Sequence, residues 1–251
     1  GLGDVYKRQA YNHSIASSVW AVVLGRHLGF DRNGLQTLAM GGMLLDVGKM
    51  HIPEAISGKD GPLETQEMEI MRSHVDYGLA LAKKTPGINQ DILDMILSHH
   101  ERHDGSGYPR GLAGNDIPVF GRIAGIVDCY DAMTTRTAYS PALAAYDAAR
   151  ELNEMRDKLF SAEVVEQFMH TIGMFPTGSV VELSDGAVGL VLEQNADNLL
   201  QPKVLVLKTP KRKRLRKPKI MNPQDWQGRG LWIARGHEHG AFGIDPMAWF
   251  N

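Results

Sequence analysis

His99-His100-Glu101-Arg102-His103-Asp104-Gly105-Ser106-Gly107-Tyr108-Pro109 sets three imidazoles and two carboxyl groups within six residues, then breaks into a glycine-rich turn. Upstream, Ile92, Met95, Ile96 and His99 keep a helical beat, which predicts a helix over 88–100 with the histidines on its last turn. Gly105, Gly107 and Pro109 stop that helix and let the backbone come close to whatever the histidines hold. Histidine also suits an exposed helix end, where imidazolium complements the C-terminal dipole. An adjacent pair on so apolar a helix points instead to a metal site.

Working outward, other candidate ligands fall on separate helices. Ile15, Val19, Val22, Val23 and Leu28 predict a helix over 11–28 with His13 in its first turn. Asn33 is positioned to cap a second helix, whose residues Leu35, Leu38, Met43, Leu44 and Leu45 are apolar nearly all round and therefore buried. Asp46, Gly48 and Lys49 follow directly, ahead of Pro53. A carboxylate and a lysine about a turn at the end of a buried helix are either a structural pair or a working one. An amphipathic helix over 63–82 carries His74 at its centre, a position that in isolation suits a core histidine better than a ligand. The helix over 119–135 carries Asp128 and Asp131 on one side, at i and i+3. Acids on so apolar a helix need a cation or a partner. Arg122 and Arg136 are candidate partners for Asp131, which leaves Asp128 the stronger ligand.

Composition limits the remaining possibilities. The 251 residues are 43% apolar and 22% charged with a net charge of −2, which gives no whole-chain case for a nucleic-acid or membrane partner. The single cysteine, Cys129, precludes an internal disulfide and fits a reducing, cytoplasmic compartment. No apolar run reaches the roughly 20 residues that span a bilayer. Residues 1–9 have the look of a translated sequencing adaptor and are set apart from the fold. A mainly helical domain is expected over 10–176, with helices over 142–159 and 162–172 at its end. A β-hairpin with its turn at Asp185-Gly186, and a strand over 204–207, make a small β extension over 177–207. Residues 208–251 are expected to be a solvated basic linker, with eight Lys and Arg between Lys208 and Lys219, and an aromatic, glycine-rich tail. In that tail His237-Glu238-His239 has the form of a weak metal chelate.

Collected, His13, Asp46, His74, His99, His100 and Asp128 are imidazoles and carboxylates without thiolate, a donor set for Mn, Fe, Co, Ni or Zn rather than Ca or Mg. A carboxylate bridging two ions roughly 3.5–4 Å apart is the arrangement used for phosphoester hydrolysis, and each ion lowers the pKa of a bound water. Lys49 would then face a phosphate oxygen as a point charge.

The order His…Leu-Asp-x-Gly-Lys…His…His-His-Glu-x-x-Asp-Gly-x-Gly-Tyr-Pro…Asp-x-x-Asp-Ala-Met-Thr resembles the HD-GYP domain, a branch of the HD phosphohydrolase superfamily, over residues 11–176. The resemblance implies an HD-type helical bundle and a bacterial phosphodiesterase that hydrolyses the second messenger cyclic di-GMP at a binuclear or trinuclear centre of Fe, Mn or similar ions. Carried over residue by residue, it makes Asp46 the bridging ligand, and gives His74, His99 and His100 to one ion and His13 and Asp128 to the other. It places Lys49 at the scissile phosphate and makes Gly107, Tyr108 and Pro109 a wall of the pocket. Signalling proteins are possible partners; DNA is not expected.

The sequence departs from the family pattern at three places. Leu45 stands where the name-giving histidine of the His-Asp pair belongs, so one ligand of the His13–Asp128 site is missing. Arg136-Thr137-Ala138-Tyr139-Ser140 replaces a segment that usually supplies phosphate-binding charge, leaving Arg136, one position off, as the candidate substrate contact. Gln9 occupies the place of a third-metal glutamate in some members. An active cyclic di-GMP phosphodiesterase is the leading expectation. A catalytically impaired module that binds the messenger or a partner protein is the alternative, and a hydrolase for another phosphoester the third.

Overall fold

The computed structural model describes residues 2–59, 61–135, 142–173, 175–195, 197–237 and 240–249, with side chains from residue 9 onward except that of residue 247. Two compact units divide the chain, one made of 1–141 with 154–168 and the other of 142–153 with 169–251.

The first unit is helical. Its elements are α1 (Leu2–His27), α2 (Arg32–Leu44), α3 (Glu54–Ser57), α4 (Thr65–Arg72), α5 (His74–Ala82), α6 (Gln90–Ser98) and α7 (Val119–Thr134). α1 packs against α2 and α7, and α6 against α7, α2 and α5. Leu24, Leu38, Met95, Ile96, Ile123 and Val127 are fully buried among them. Trp20, Tyr130 and Phe168 close one end edge-to-face, with ring centroids 5.2, 5.2 and 6.2 Å apart. α1 runs back through residues 2–9, the stretch that the sequence set apart.

His13, expected in a first turn, therefore lies mid-helix, and three other expected features of this unit change for local reasons. α2 is capped by Asp31, not Asn33: the extended backbone of Asp31 lets its carboxylate accept the Gly34 N–H at 2.8 Å. The helix expected over 63–82 is broken at Ser73, whose hydroxyl donates to the Ile70 carbonyl at 2.6 Å and whose N–H is shared between the Glu69 and Ile70 carbonyls. His74 therefore opens α5 rather than lying mid-helix. α6 begins after Asn89, whose side-chain oxygen accepts the Ile92 N–H at 2.9 Å, and ends at Ser98. His99 is its C-cap and His100 lies beyond it, so neither sits on the last helical turn.

The second unit contains α8 (Ala145–Glu154), shorter than the expected 142–159, and an antiparallel sheet. The strands β1 (Val180–Leu183), β2 (Val188–Glu193), β3 (Lys203–Lys208), β4 (Arg214–Met221) and β5 (Ile233–His237) lie in the order β4-β3-β2-β1-β5. α9 (Ala162–Ile172) has the bounds expected from the sequence, but it runs from the first unit into the second instead of lying wholly within the helical domain expected over 10–176. The β1–β2 hairpin turns where expected, with Asp185 accepting the Ala187 N–H at 2.8 Å.

The basic segment corrects the sequence reading. Instead of a solvated linker, residues 214–221 pair with β3, Val204 opposite Met221 and Val206 opposite Lys219. β4 is an edge strand with a largely exposed surface, so its backbone bonds carry the pairing while its Lys and Arg side chains face water. Such a strand carries no hydrophobic alternation to be read. β5 then returns to pair with β1, so the extension is a five-stranded sheet and not a hairpin with one added strand. Its core holds Phe175, Val181, Val191, Val204, Met221 and Trp226, the last donating its indole N–H to the Pro202 carbonyl at 2.9 Å. His237 pairs with Glu182 at 3.1 Å, and Glu182 also accepts from Arg212 at 2.7 Å. Glu238 and His239, the rest of the chelate-like triplet, lie outside the described residues.

One contact fixes the first unit around its polar centre. A 3-10 turn, Val47–His51, presses on α5 so closely that a Cβ at Gly48 would lie 1.8 Å from the His74 carbonyl oxygen and 2.5 Å from the Gly78 nitrogen. Both obstacles are backbone and cannot swing aside. Replacing Gly48 by alanine should therefore cost about 1–3 kcal/mol of stability, as overpacking does. Urea denaturation reads this directly; a loss below about 0.5 kcal/mol, the range of ordinary surface changes, would contradict the close approach.

Candidate metal centre

The turn that Gly48 holds against α5 carries Asp46 at its start and Lys49 within it. Two groups of candidate ligands meet there, Asp46 with His74, His99 and His100, and Asp46 with His13 and Asp128. Within each group the donor atoms lie no more than 4.8 Å apart. Asp46 belongs to both because its two oxygens face different ways. Oδ1 lies 3.3 Å from His74 Nε2 and 3.7 Å from His99 Nε2. Oδ2 lies 2.6 Å from Lys49 Nζ and 3.5 Å from His13 Nε2.

The chemistry of the first group fits a cation. His74 Nδ1 is 2.7 Å from the Met71 carbonyl and His99 Nδ1 is 2.8 Å from the Ile96 carbonyl, contacts that require a ring N–H on the Nδ1 side. In the neutral ring this leaves an Nε2 lone pair, and the two Nε2 atoms stand 3.4 Å apart beside Asp46 Oδ1. Oδ1 is buried and makes no well-aligned hydrogen bond. Three acceptors thus converge where His74 and His99 have no exposed surface, a cluster that is costly unless a positive ion satisfies it. The backbone carbonyls also fix both tautomers, as the outer partners of metal-ligating imidazoles do. Burial and the neighbouring His99 push His100 down to about 2, so its ring is neutral at physiological pH and keeps a lone pair available to a cation. For Asp46, burial favours the neutral acid, but the Lys49 ammonium outweighs it and holds the carboxyl well below its ordinary range.

The second group has a different electrostatic character. His13 Nε2 is 3.0 Å from Asp128, and His13 Nδ1 is 2.5 Å from Asp131. Burial opposes a charge on His13, yet the two carboxylates dominate and raise it to about 10. The same pairing brings Asp128 down to about 2 against its own burial. Asp131 therefore pairs with His13 rather than with Arg122; Arg136, its other expected partner, lies outside the described residues. It holds the ring from behind while Nε2 faces Asp128 and Asp46, so an ion taken up there would displace the Nε2 proton and leave Asp131 as the outer carboxylate of the ring. Leu45 is 1% exposed and offers no donor.

The loop after His100 is built by residues whose work the sequence does not announce. Glu101 is buried, and its two oxygens accept the N–H groups of Arg110 at 2.8 Å and Leu112 at 2.9 Å, tying the far end of the loop to its start. Asp104 accepts the Ser106 N–H at 2.9 Å. Gly107 is required sterically, since a Cβ there would lie 2.4 Å from the Arg102 nitrogen. The Tyr108-Pro109 peptide bond is cis. The Tyr108 ring stacks on His100 at 4.6 Å, and the Arg72 guanidinium sits 4.9 Å from the centre of the Tyr108 ring. Arg72 escaped the sequence reading because it lies on another helix, and no local spacing links it to Tyr108. Arg136, the remaining candidate substrate contact, lies outside the described residues.

A family model described as an HD domain matches residues 4–164. The chain belongs to the HD domain family. Among curated relatives, the cyclic di-GMP phosphodiesterase PA4108 of Pseudomonas aeruginosa is 34% identical over 78% of this chain and 47% of its own length. A cyclic di-GMP phosphodiesterase of Thermotoga maritima is 42% identical over 50% of this chain and 34% of its own length. The chain thus spans about half the length of the first relative and about a third of the second. Among solved structures, an HDG"Y"P protein of Bdellovibrio bacteriovorus, Bd1817, aligns with a TM-score of 0.53 at 20% identity, covering 63% of this chain and 51% of that one. That likeness supports the helical fold. No helix among the described residues is long and apolar enough to cross a membrane.

Asp131 gives the site a direct test. Replacing it by asparagine keeps its shape but removes the charge behind His13, and metal affinity should fall about 10–100-fold, the usual cost of losing an outer carboxylate. Competition against a chelator measures this, with thermal unfolding confirming an intact fold. Unchanged affinity would mean that His13 does not bind the ion.

Proposed function

We propose that this chain is the hydrolytic part of a metal-dependent phosphodiesterase acting on cyclic di-GMP. The observation that carries the reading is Asp46, whose two oxygens face separate groups of histidine and carboxylate donors. The two relatives named as cyclic di-GMP phosphodiesterases support the substrate. In this reading His74, His99, His100 and Asp46 hold one divalent ion, and His13, Asp128 and Asp46 hold a second. Bound there, the ions supply Lewis-acid stabilisation of the phosphoryl oxygens and lower the pKa of a water. Lys49, 30% exposed at its side chain and ion-paired to Asp46, supplies a further positive charge for a phosphate oxygen. Tyr108, packed on His100, closes one side of the site, and Glu101 holds the loop that carries it.

Leu45 supports a second reading, in which the chain binds the messenger and signals without cutting it. The second group has three protein ligands and a buried leucine where a fourth would help, which weakens that ion's hold. The two readings separate in one experiment. With Mn or Fe loaded anaerobically, cyclic di-GMP should be turned over by residues 10–251 and not by the Asp46→Ala variant. Binding without a linear product would instead establish the sensor. Leu45→His should raise both metal content and rate; no change in either would contradict the assignment of the second ion to His13, Asp46 and Asp128.

A further inference from the structure

Beside Asp46 and Lys49 the first unit opens into a cavity of about 670 Å³, within the size that encloses a small organic ligand. Its walls are unlike the metal centre. Tyr11 and Met43 come from α1 and α2, and Met50 and Ile52 from the turn after Lys49, giving an apolar slot with a polar end. These side chains are set out toward solvent: Tyr11 is 64% exposed, Met43 49% and Met50 81%. Exposed methionines flanking a slot make an adaptable surface for a flat, polarisable ring. Ser14, Ser57 and the exposed Glu54 add polar groups to the lining, and among the described residues Glu54 has no hydrogen-bond or ion-pair partner for its carboxylate.

A nucleotide phosphodiester brings two kinds of group to such a site. Its phosphate belongs with the cations, here Lys49 and any ions on Asp46, and its base needs an adjacent apolar slot. The polar end of the slot then decides which base is held. A carboxylate only accepts hydrogen bonds, and at neutral pH it matches paired donors. Guanine presents two donors side by side, N1–H and the N2 amino group. Adenine presents an acceptor, N1, beside its amino donor, and would set a lone pair against the carboxylate. Mismatched polar edges of this kind discriminate more strongly than apolar contacts do.

We propose that this cavity is a purine subsite, in which the Tyr11, Met43 and Met50 side chains flank the base and Glu54 selects guanine through its N1–H and N2 amino group. The inference rests on the phosphodiesterase reading for its ligand, and extends it to the residue that sets base preference. Glu54 acts here on binding and takes no part in the bond-breaking.

The test measures equilibrium binding of cyclic di-GMP and cyclic di-AMP to the full chain by calorimetry, and hydrolysis of both beside the base-free diester bis(p-nitrophenyl) phosphate. The parent should bind cyclic di-GMP at least tenfold more tightly than cyclic di-AMP. Glu54→Gln should bring that ratio close to one, and should lower the kcat/KM ratio of cyclic di-GMP to bis(p-nitrophenyl) phosphate at least tenfold. Met50→Ala, at a site too exposed to matter for folding, should weaken both dinucleotides together. A parent without base preference, or a Glu54→Gln variant that keeps it, overturns the subsite. A parent that hydrolyses no diester but prefers cyclic di-GMP in a Glu54-dependent way overturns the phosphodiesterase reading and leaves the subsite standing.

Discussion

The first unit is arranged around a carboxylate that cannot be satisfied by the protein alone. Asp46 sits in the interior with one oxygen among imidazole lone pairs and the other shared by Lys49 and His13. Buried acceptors that face one another raise the free energy of the folded chain unless a cation lies among them. The surrounding structure holds them together nevertheless. Carbonyls of Met71 and Ile96 lock the ring orientations of His74 and His99, the absence of a side chain at Gly48 permits the turn to touch α5, and Asp131 braces His13. Each support lies outside the set of candidate ligands, and each acts by removing an alternative arrangement. This is the stability penalty that a preorganised site carries.

Such an arrangement explains why the helices end where they do. The break at Ser73 puts His74 at the start of α5, and the end of α6 at Ser98 puts His99 and His100 at the exit. The loop that follows is then secured independently, by Glu101 clasping two backbone N–H groups across it. The eleven residues from His99 to Pro109 thus divide their labour: His99 and His100 face the candidate metal centre, while Glu101, the glycines and the tyrosine shape and fasten the wall.

Much of this was legible in the sequence because metal chemistry restricts residue types. His13, Asp46, His74, His99, His100 and Asp128 could be gathered from five places in the chain without knowing the fold, and the structure brings them together. The partners of those residues were not legible. Asp131 lies at helical spacing from Asp128 but its contact is with α1, and Arg72 reaches Tyr108 from another helix, so neither leaves a local trace. In the second unit the misreading has the opposite origin. Hydrophobic alternation reports side-chain burial, and β4 buries little beyond Met221, so a strand held by backbone pairing looks like a linker. Where stability comes from side chains the pattern is visible; where it comes from the main chain at an edge it is not.

The metal centre remains the part of this account on which the rest turns. Anomalous diffraction from crystals grown with Mn, collected on both sides of the metal absorption edge, locates the ion directly. The account predicts a strong peak bounded by Asp46 Oδ1, His74 Nε2, His99 Nε2 and His100, with a weaker one between His13, Asp46 and Asp128. A metal-saturated crystal with no peak at the first position would contradict it.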